Sequence, residues 1–108
     1  MSETYGEFSS MGRAEIHKRV IEHYGEKAQL GKAMEELVEL QCELLNYTGL
    51  GVRDNRDKIL SELADVCNMI EQIAIIFEFM GLEIVTEQNQ KMIRTLKRID
   101  ADDKSGET

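Results

Sequence analysis

The chain contains no proline and no tryptophan. Without proline, only glycine, capping chemistry or polar runs can end a helix, so long helices are permitted throughout. Aromatic residues make up 6% of the chain, too few for an extended stacking platform. Cations are also scarce: 13 Lys and Arg stand against 21 Asp and Glu, for a net charge of -8. That balance argues against a nucleic-acid partner, which favours a basic face, and against an anionic membrane surface. A small phosphorylated ligand stays compatible, because a divalent cation can bridge carboxylates to phosphates. The longest apolar-rich run, Ile73 to Leu82, is broken by Glu78 and is too short to span a bilayer. The first ten residues, "MSETYGEFSS", lack the cationic and apolar regions of a secretory signal, so a cytoplasmic location is expected. The two cysteines, Cys42 and Cys67, fit no C-x-x-C or Cys/His zinc spacing, and buried reduced thiols are the expectation for both.

What remains is rich in Leu, Ile, Met, Glu and Lys, and it predicts one all-α domain over residues 1–108, folded from about 10 to 99. Residues 1–9 and 100–108 read as flexible. A first helix is expected over about Met11–Tyr24, with Ser9 or Ser10 as N-cap and Gly25 as its interruption. A second covers about Glu26–Tyr47 and ends at "TGLG", where Gly49 and Gly51 can turn left-handed. A third runs from about Asn55, with Asp54 as candidate N-cap, to Met80, stopped by Gly81. A fourth covers about Leu82–Ile99. Short connections between four helices suggest an antiparallel, bundle-like arrangement.

Apolar spacing assigns the buried arc of the second helix to Leu30, Met34, Leu37, Val38, Leu44 and Leu45. On the third helix the stripe is Ile59, Leu63, Val66, Ile70, Ile73 and Phe77. Beyond Ile73 nearly the whole circumference turns apolar, through Ile75, Ile76, Phe79 and Met80. A helix apolar all round needs cover on every side, which predicts a homo-oligomer.

Beside these arcs lie two acidic clusters. Glu36 and Glu39 project about 60° apart at 100° per residue, and Glu35 sits one turn before Glu39. Glu62 and Asp65 repeat the i, i+3 relation, and Asn68 and Gln72 continue their stripe. If the two helices pair antiparallel, the acids can face one another. Five converging carboxylates would raise one another's pKa unless cations offset the repulsion, and hard divalent ions prefer such oxygen ligands. Each cluster alone reads as a solvated helix face; the two together favour a metal site.

The pattern Glu35-Glu36-x-x-Glu39 followed by Glu62-x-x-Asp65 resembles the signature of the all-α, MazG-like nucleoside triphosphate pyrophosphohydrolases. "HYGEKAQLGKAMEELVEL", "ELADVCNMIEQIAIIF" and "KMIRTLKRI" extend the likeness over roughly residues 15–99. The resemblance implies a helical bundle forming a homodimer or homotetramer. It also implies Mg2+-dependent hydrolysis, with Mn2+ as an alternative ion, of a nucleoside triphosphate to the monophosphate and pyrophosphate, with clearance of non-standard nucleotides as one role. Carried over by position, Glu36, Glu39, Glu62 and Asp65 would be metal ligands, and Glu35 an outer carboxylate orienting the attacking water or holding a further metal. Such residues suit phosphoanhydride chemistry, which needs phosphate charge neutralised and a water activated.

Further candidates for substrate contact are Lys91 and Arg94 on the last helix, which also carries Arg98, together with Asn68, Lys32 and Gln29. For the cations, a favourable position near a helix C-terminus is the competing explanation. His17 and His23 read as surface histidines. Tyr24, Tyr47, Phe77 and Phe79 read as core before base pocket. Two other functions stay open: a non-catalytic helical interaction module of the same fold, and phosphoribosyl-ATP pyrophosphohydrolysis.

Overall fold

The computed structural model describes residues 12–49 and 54–106, and every element among them is an α-helix: α1 (Arg13–Tyr24), α2 (Glu26–Thr48), α3 (Arg56–Ile76) and α4 (Gly81–Gly106). The expected caps Ser9 and Ser10, and Gly51, lie outside the described residues. The chain divides into two compact units, Met1–Phe77 and Glu78–Thr108, so α1–α3 and α4 belong to different units.

One residue joins α1 to α2. Gly25 has φ 95°, a backbone conformation that costs a side-chain-bearing residue dearly. Its N–H donates to Ile21 O at 2.7 Å, while its carbonyl accepts from Gln29 N at 3.1 Å. Gly25 thus closes one helix and opens the next. Gly49, expected in a left-handed turn, has φ -86° and ψ -165° and is extended.

The cap of α3 is Asn55 and not Asp54. Asn55 makes no side-chain cap to its own helix. Its Nδ2 donates instead to Glu43 O and to Glu43 Oε1, both at 2.9 Å. The start of α3 is thereby tied to the latter part of α2. The helix also stops earlier than its apolar run suggests, at Ile76 rather than Met80. Glu78 turns left-handed at φ 59°, and Met80 N–H donates to Glu83 Oε1 at 3.0 Å. That is half of a capping box, with Glu at the third helical position reaching back to the cap. Gly81, expected as a stop, is the first residue of α4. At its other end α4 continues through the expected flexible tail to Gly106, because Asp100–Ser105 contains no breaker and Asp100 and Lys104 stand in a favourable i, i+4 relation.

Within the first unit α2 pairs extensively with α3, and α1 packs on both. The buried positions are Ile21, Ala33, Val66 and Met69, together with the polar residues His17, Gln29, Glu36, Asn55 and Gln72. This corrects the expected buried arc of α2. Met34, Leu37, Val38, Leu44 and Leu45 are exposed, whereas Gln29, Ala33 and Glu36 are buried. The side that packs inward is the one carrying Ala33, only 3% exposed, a face that hydropathy alone would call polar. Cys42 and Cys67, expected to be buried, are exposed free thiols. On α4 no residue is buried, and Leu82, Val85, Met92, Leu96 and Ile99 leave an apolar stripe exposed. None of the described helices is long and apolar enough to cross a membrane.

Candidate metal centre and adjoining cleft

Antiparallel pairing sets α2 and α3 in register over the acids. Gln29 meets Gln72, and seven residues further along α2, and seven back along α3, Glu36 meets Asp65. One carboxylate oxygen each from Glu36, Glu62 and Asp65 lie within 4.8 Å of one another. Glu36 is the most enclosed, at 5% exposure. Its Oε1 accepts an ion pair from Lys32 Nζ at 3.0 Å. Its Oε2 and the Oε2 of Glu62 are both buried with no hydrogen-bond partner.

Unpartnered buried oxygens are costly unless something supplies positive charge. The electrostatics agree. Burial, followed by the neighbouring carboxylates of Glu39, Glu36 and Asp65, pushes the Glu62 carboxyl above its ordinary range. Burial and then Glu36 do the same to Asp65. Glu36 moves the other way, because the hydrogen bond from Lys32 outweighs its burial. One ammonium therefore serves one oxygen of the cluster, and the remaining acids face a deficit of positive charge. An oxygen-rich set of this kind suits a hard divalent cation and not a soft one.

The remaining sequence candidates are placed as follows. Glu39 adjoins Glu62 and Glu36, where its carboxyl is among the causes of both their shifts. Glu35, Lys32, Asn68 and Gln29 line a cleft of about 680 Å³, together with Glu36 and Asp65. Glu35 and Asn68 are exposed there, and Gln29 is buried. Lys91 and Arg94 stand exposed on α4, in the second unit. Tyr24 lines the cleft while remaining 64% exposed, so it is not core.

The cleft also contains groups that sequence reasoning passed over. His17, expected at the surface, is buried at 8% exposure. Its Nε2 meets Glu71 Oε2 at 2.7 Å, and Glu71 accepts Arg13 Nη2 at 2.9 Å and Nε at 3.2 Å. Gln72 Nε2 lies 3.2 Å from His17 Nδ1, and Gln29 Nε2 donates to Gln72 Oε1 at 2.8 Å. The guanidinium and the imidazole hold the Glu71 carboxyl below the usual range. A signal for this set existed: Arg13 and His17 stand one turn apart, and Gln72 continues the polar stripe of Glu62 and Asp65. His23 is exposed and sits edge-on to Tyr24.

No family model, curated protein or solved structure matches the chain.

Proposed function

We propose that the chain is a divalent-cation-dependent nucleoside triphosphate pyrophosphohydrolase of the MazG-like type, acting with Mg2+ or Mn2+. The observation that carries this reading is the pair of buried, unpartnered oxygens on Glu36 and Glu62, grouped with Asp65 beside a cleft that Glu36 and Asp65 line. Glu36, Glu62 and Asp65 would hold the cation, with Glu39 beside them. When bound, the ion supplies charge neutralisation for phosphate oxygens and acidifies a water.

The protein's own groups do the rest. Lys32, exposed at its tip and already beside Glu36, can turn toward a phosphate oxygen. Glu35 lines the same cleft and is placed to accept the proton of the attacking water. Water attack on one phosphorus breaks a single phosphoanhydride bond and yields a monophosphate and pyrophosphate. The cleft volume suits a nucleoside attached to such a phosphate chain.

Self-association to a homodimer or homotetramer belongs to this reading. The exposed Met34, Val38 and Leu45 of α2 recur at helical spacing on one side, a pattern that seeks cover.

The deciding experiment is a panel of nucleoside triphosphates incubated with Mg2+ and read for pyrophosphate against orthophosphate, with phosphoribosyl-ATP included. Pyrophosphate from at least one nucleotide is expected. Orthophosphate alone, or no product from folded protein with Mg2+ and Mn2+, refutes the reading. Product from phosphoribosyl-ATP and from nothing else would redirect it.

A further inference from the structure

We propose that the relay Glu71–His17–Gln72–Gln29 fixes an acceptor on the wall of the cleft and so selects nucleotides whose base carries an exocyclic amino group. This inference rests on the hydrolase reading for the identity of the ligand, and on the relay for its selectivity.

The direction of the relay follows from its anchored end. Glu71 receives both donors of the Arg13 fork and is therefore an ionised acceptor. His17 Nε2, at 2.7 Å, must carry the proton. The amide nitrogen of Gln72 faces the other ring nitrogen, Nδ1, at 3.2 Å, an arrangement in which the amide donates and Nδ1 accepts. Gln72 is thereby turned so that its Oε1 faces Gln29, and Gln29 must present its own nitrogen, as observed at 2.8 Å. Each amide orientation agrees with the one before it. At the end of the relay, Gln29 Oε1 has no hydrogen-bond donor among the described residues. Nor is it among the sealed, unpartnered atoms, so it keeps access to the cleft that Gln29 lines. The side chain itself is only 8% exposed, which makes an unfilled acceptor there consequential.

The spacing matches one nucleotide. Gln29 and Glu36 are seven residues apart on α2, as are Gln72 and Asp65 on α3, which is about 10 Å along each helix axis. The acids at one end would take the phosphate and its cation, and the apolar walls, Ile16, Val20 and Met69, would hold the base. An amino group donates to Gln29 Oε1, and the adjacent ring nitrogen accepts the remaining N–H of the amide, the pairing that amides use to read adenine. A keto base sets two acceptors together. It can offer its ring N–H only by sliding one ring atom along the edge, against a phosphate held at the far end.

The test compares near-isosteric pairs on the full-length protein with Mg2+: CTP against UTP, and ATP against ITP. The amino member of each pair is expected to lead in kcat/KM by about tenfold or more. Gln29→Met and the positioning variant Glu71→Gln should bring each ratio to within about threefold, because both remove the fixed acceptor. Binding of CMP and UMP by calorimetry gives the same comparison without turnover. Equal or keto-favouring ratios accompanied by pyrophosphate release overturn the inference and leave the hydrolase standing. Absence of turnover with CMP preferred over UMP supports the selectivity and removes the hydrolase. Absence of both removes both. A Gln29→Met variant that slows all four nucleotides equally also overturns the inference.

Discussion

Replacing Glu62 by Gln separates a metal-binding role from a structural one. In the wild-type protein Glu62 Oε2 is buried without a partner and shares a 4.8 Å cluster with oxygens of Glu36 and Asp65. The three acids are brought together only by the α2–α3 pairing, so an ion that needs all three binds the folded chain and not the unfolded one. Linkage then sets the size of the effect. At a free Mg2+ concentration ten times the dissociation constant, the folded state gains RT ln 11, about 1.4 kcal/mol. For a domain of this size each kcal/mol moves Tm by about 4–8 °C, which gives an increase of roughly 6–11 °C.

The Glu62→Gln variant loses one anionic ligand but gains an amide donor that can reach Glu36 or Asp65. Without metal it is therefore expected to be at least as stable as wild type, and its response to Mg2+ should largely vanish. The assay is thermal unfolding by circular dichroism over a Mg2+ titration, against Na+ at matched ionic strength, because screening of exposed charge alone also relieves repulsion. Equal responses to Mg2+ and Na+ in wild type, or a full Mg2+ response in Glu62→Gln, would refute the reasoning.

Five further outcomes are expected. Asp65→Asn should abolish pyrophosphate release with the helical spectrum unchanged, whereas Glu35→Gln should lower kcat by about 10²–10⁴ with Mg2+ binding retained, as for a lost proton acceptor. Ala33→Leu, at a position 3% exposed between helices, should cost about 1–3 kcal/mol by overpacking, read from the urea midpoint. Glu71 has its folded pKa lowered by Arg13 and His17, so its contribution to stability is present above the unfolded value and is lost as pH falls through the folded one. Glu71→Gln should therefore be less stable than wild type at neutral pH, and the difference should shrink below about pH 4.3, measured as Tm against pH. Val38→Lys, on the exposed side of α2, should reduce the sedimentation coefficient toward that of a single chain.

The helices were legible because composition and glycine placement mark them. Gly25 ends one helix and begins another as its position suggests, and α2 runs within a residue of its expected end. The ends of α3 and α4 were misread for a common reason: hydropathy reports what a segment would bury, not where its hydrogen bonds stop. The run from Phe77 to Met80 is apolar yet leaves the helix at a left-handed Glu78, and Asp100–Ser105 is polar yet stays in one. Among the acids, the i, i+3 spacings pointed to Glu36, Glu39, Glu62 and Asp65 together, and antiparallel pairing brings three of them, Glu36, Glu62 and Asp65, within 4.8 Å of one another. His17 was missed because its partners are more than fifty residues away on α3. No local pattern encodes a relay that exists only after α1 has packed.

The composition of the buried set explains why the site and the exposed apolar faces occur together. Among the described residues, five of the nine buried positions are polar, and none of the larger side chains is completely enclosed. The buried interior of the first unit, with Ala33 and Val66, is thus shared with Gln29, Glu36, His17 and Gln72, groups that contribute little by desolvation and require partners. Larger apolar side chains of α2 are found on the outside, at Met34, Leu37, Val38 and Leu45. On the proposed reading, a chain arranged in this way would gain stability elsewhere: from a cation among the carboxylates, and from a second surface that covers α2. Both contributions depend on concentration, so the stability of this protein should rise with Mg2+ and with protein concentration together, and independently of each other if the α2 face and the acid cluster are separate surfaces. A Val38→Lys variant that keeps its full Mg2+ response while losing its dependence on protein concentration would establish that separation; loss of both at once would mean that the acids are completed by a neighbouring copy.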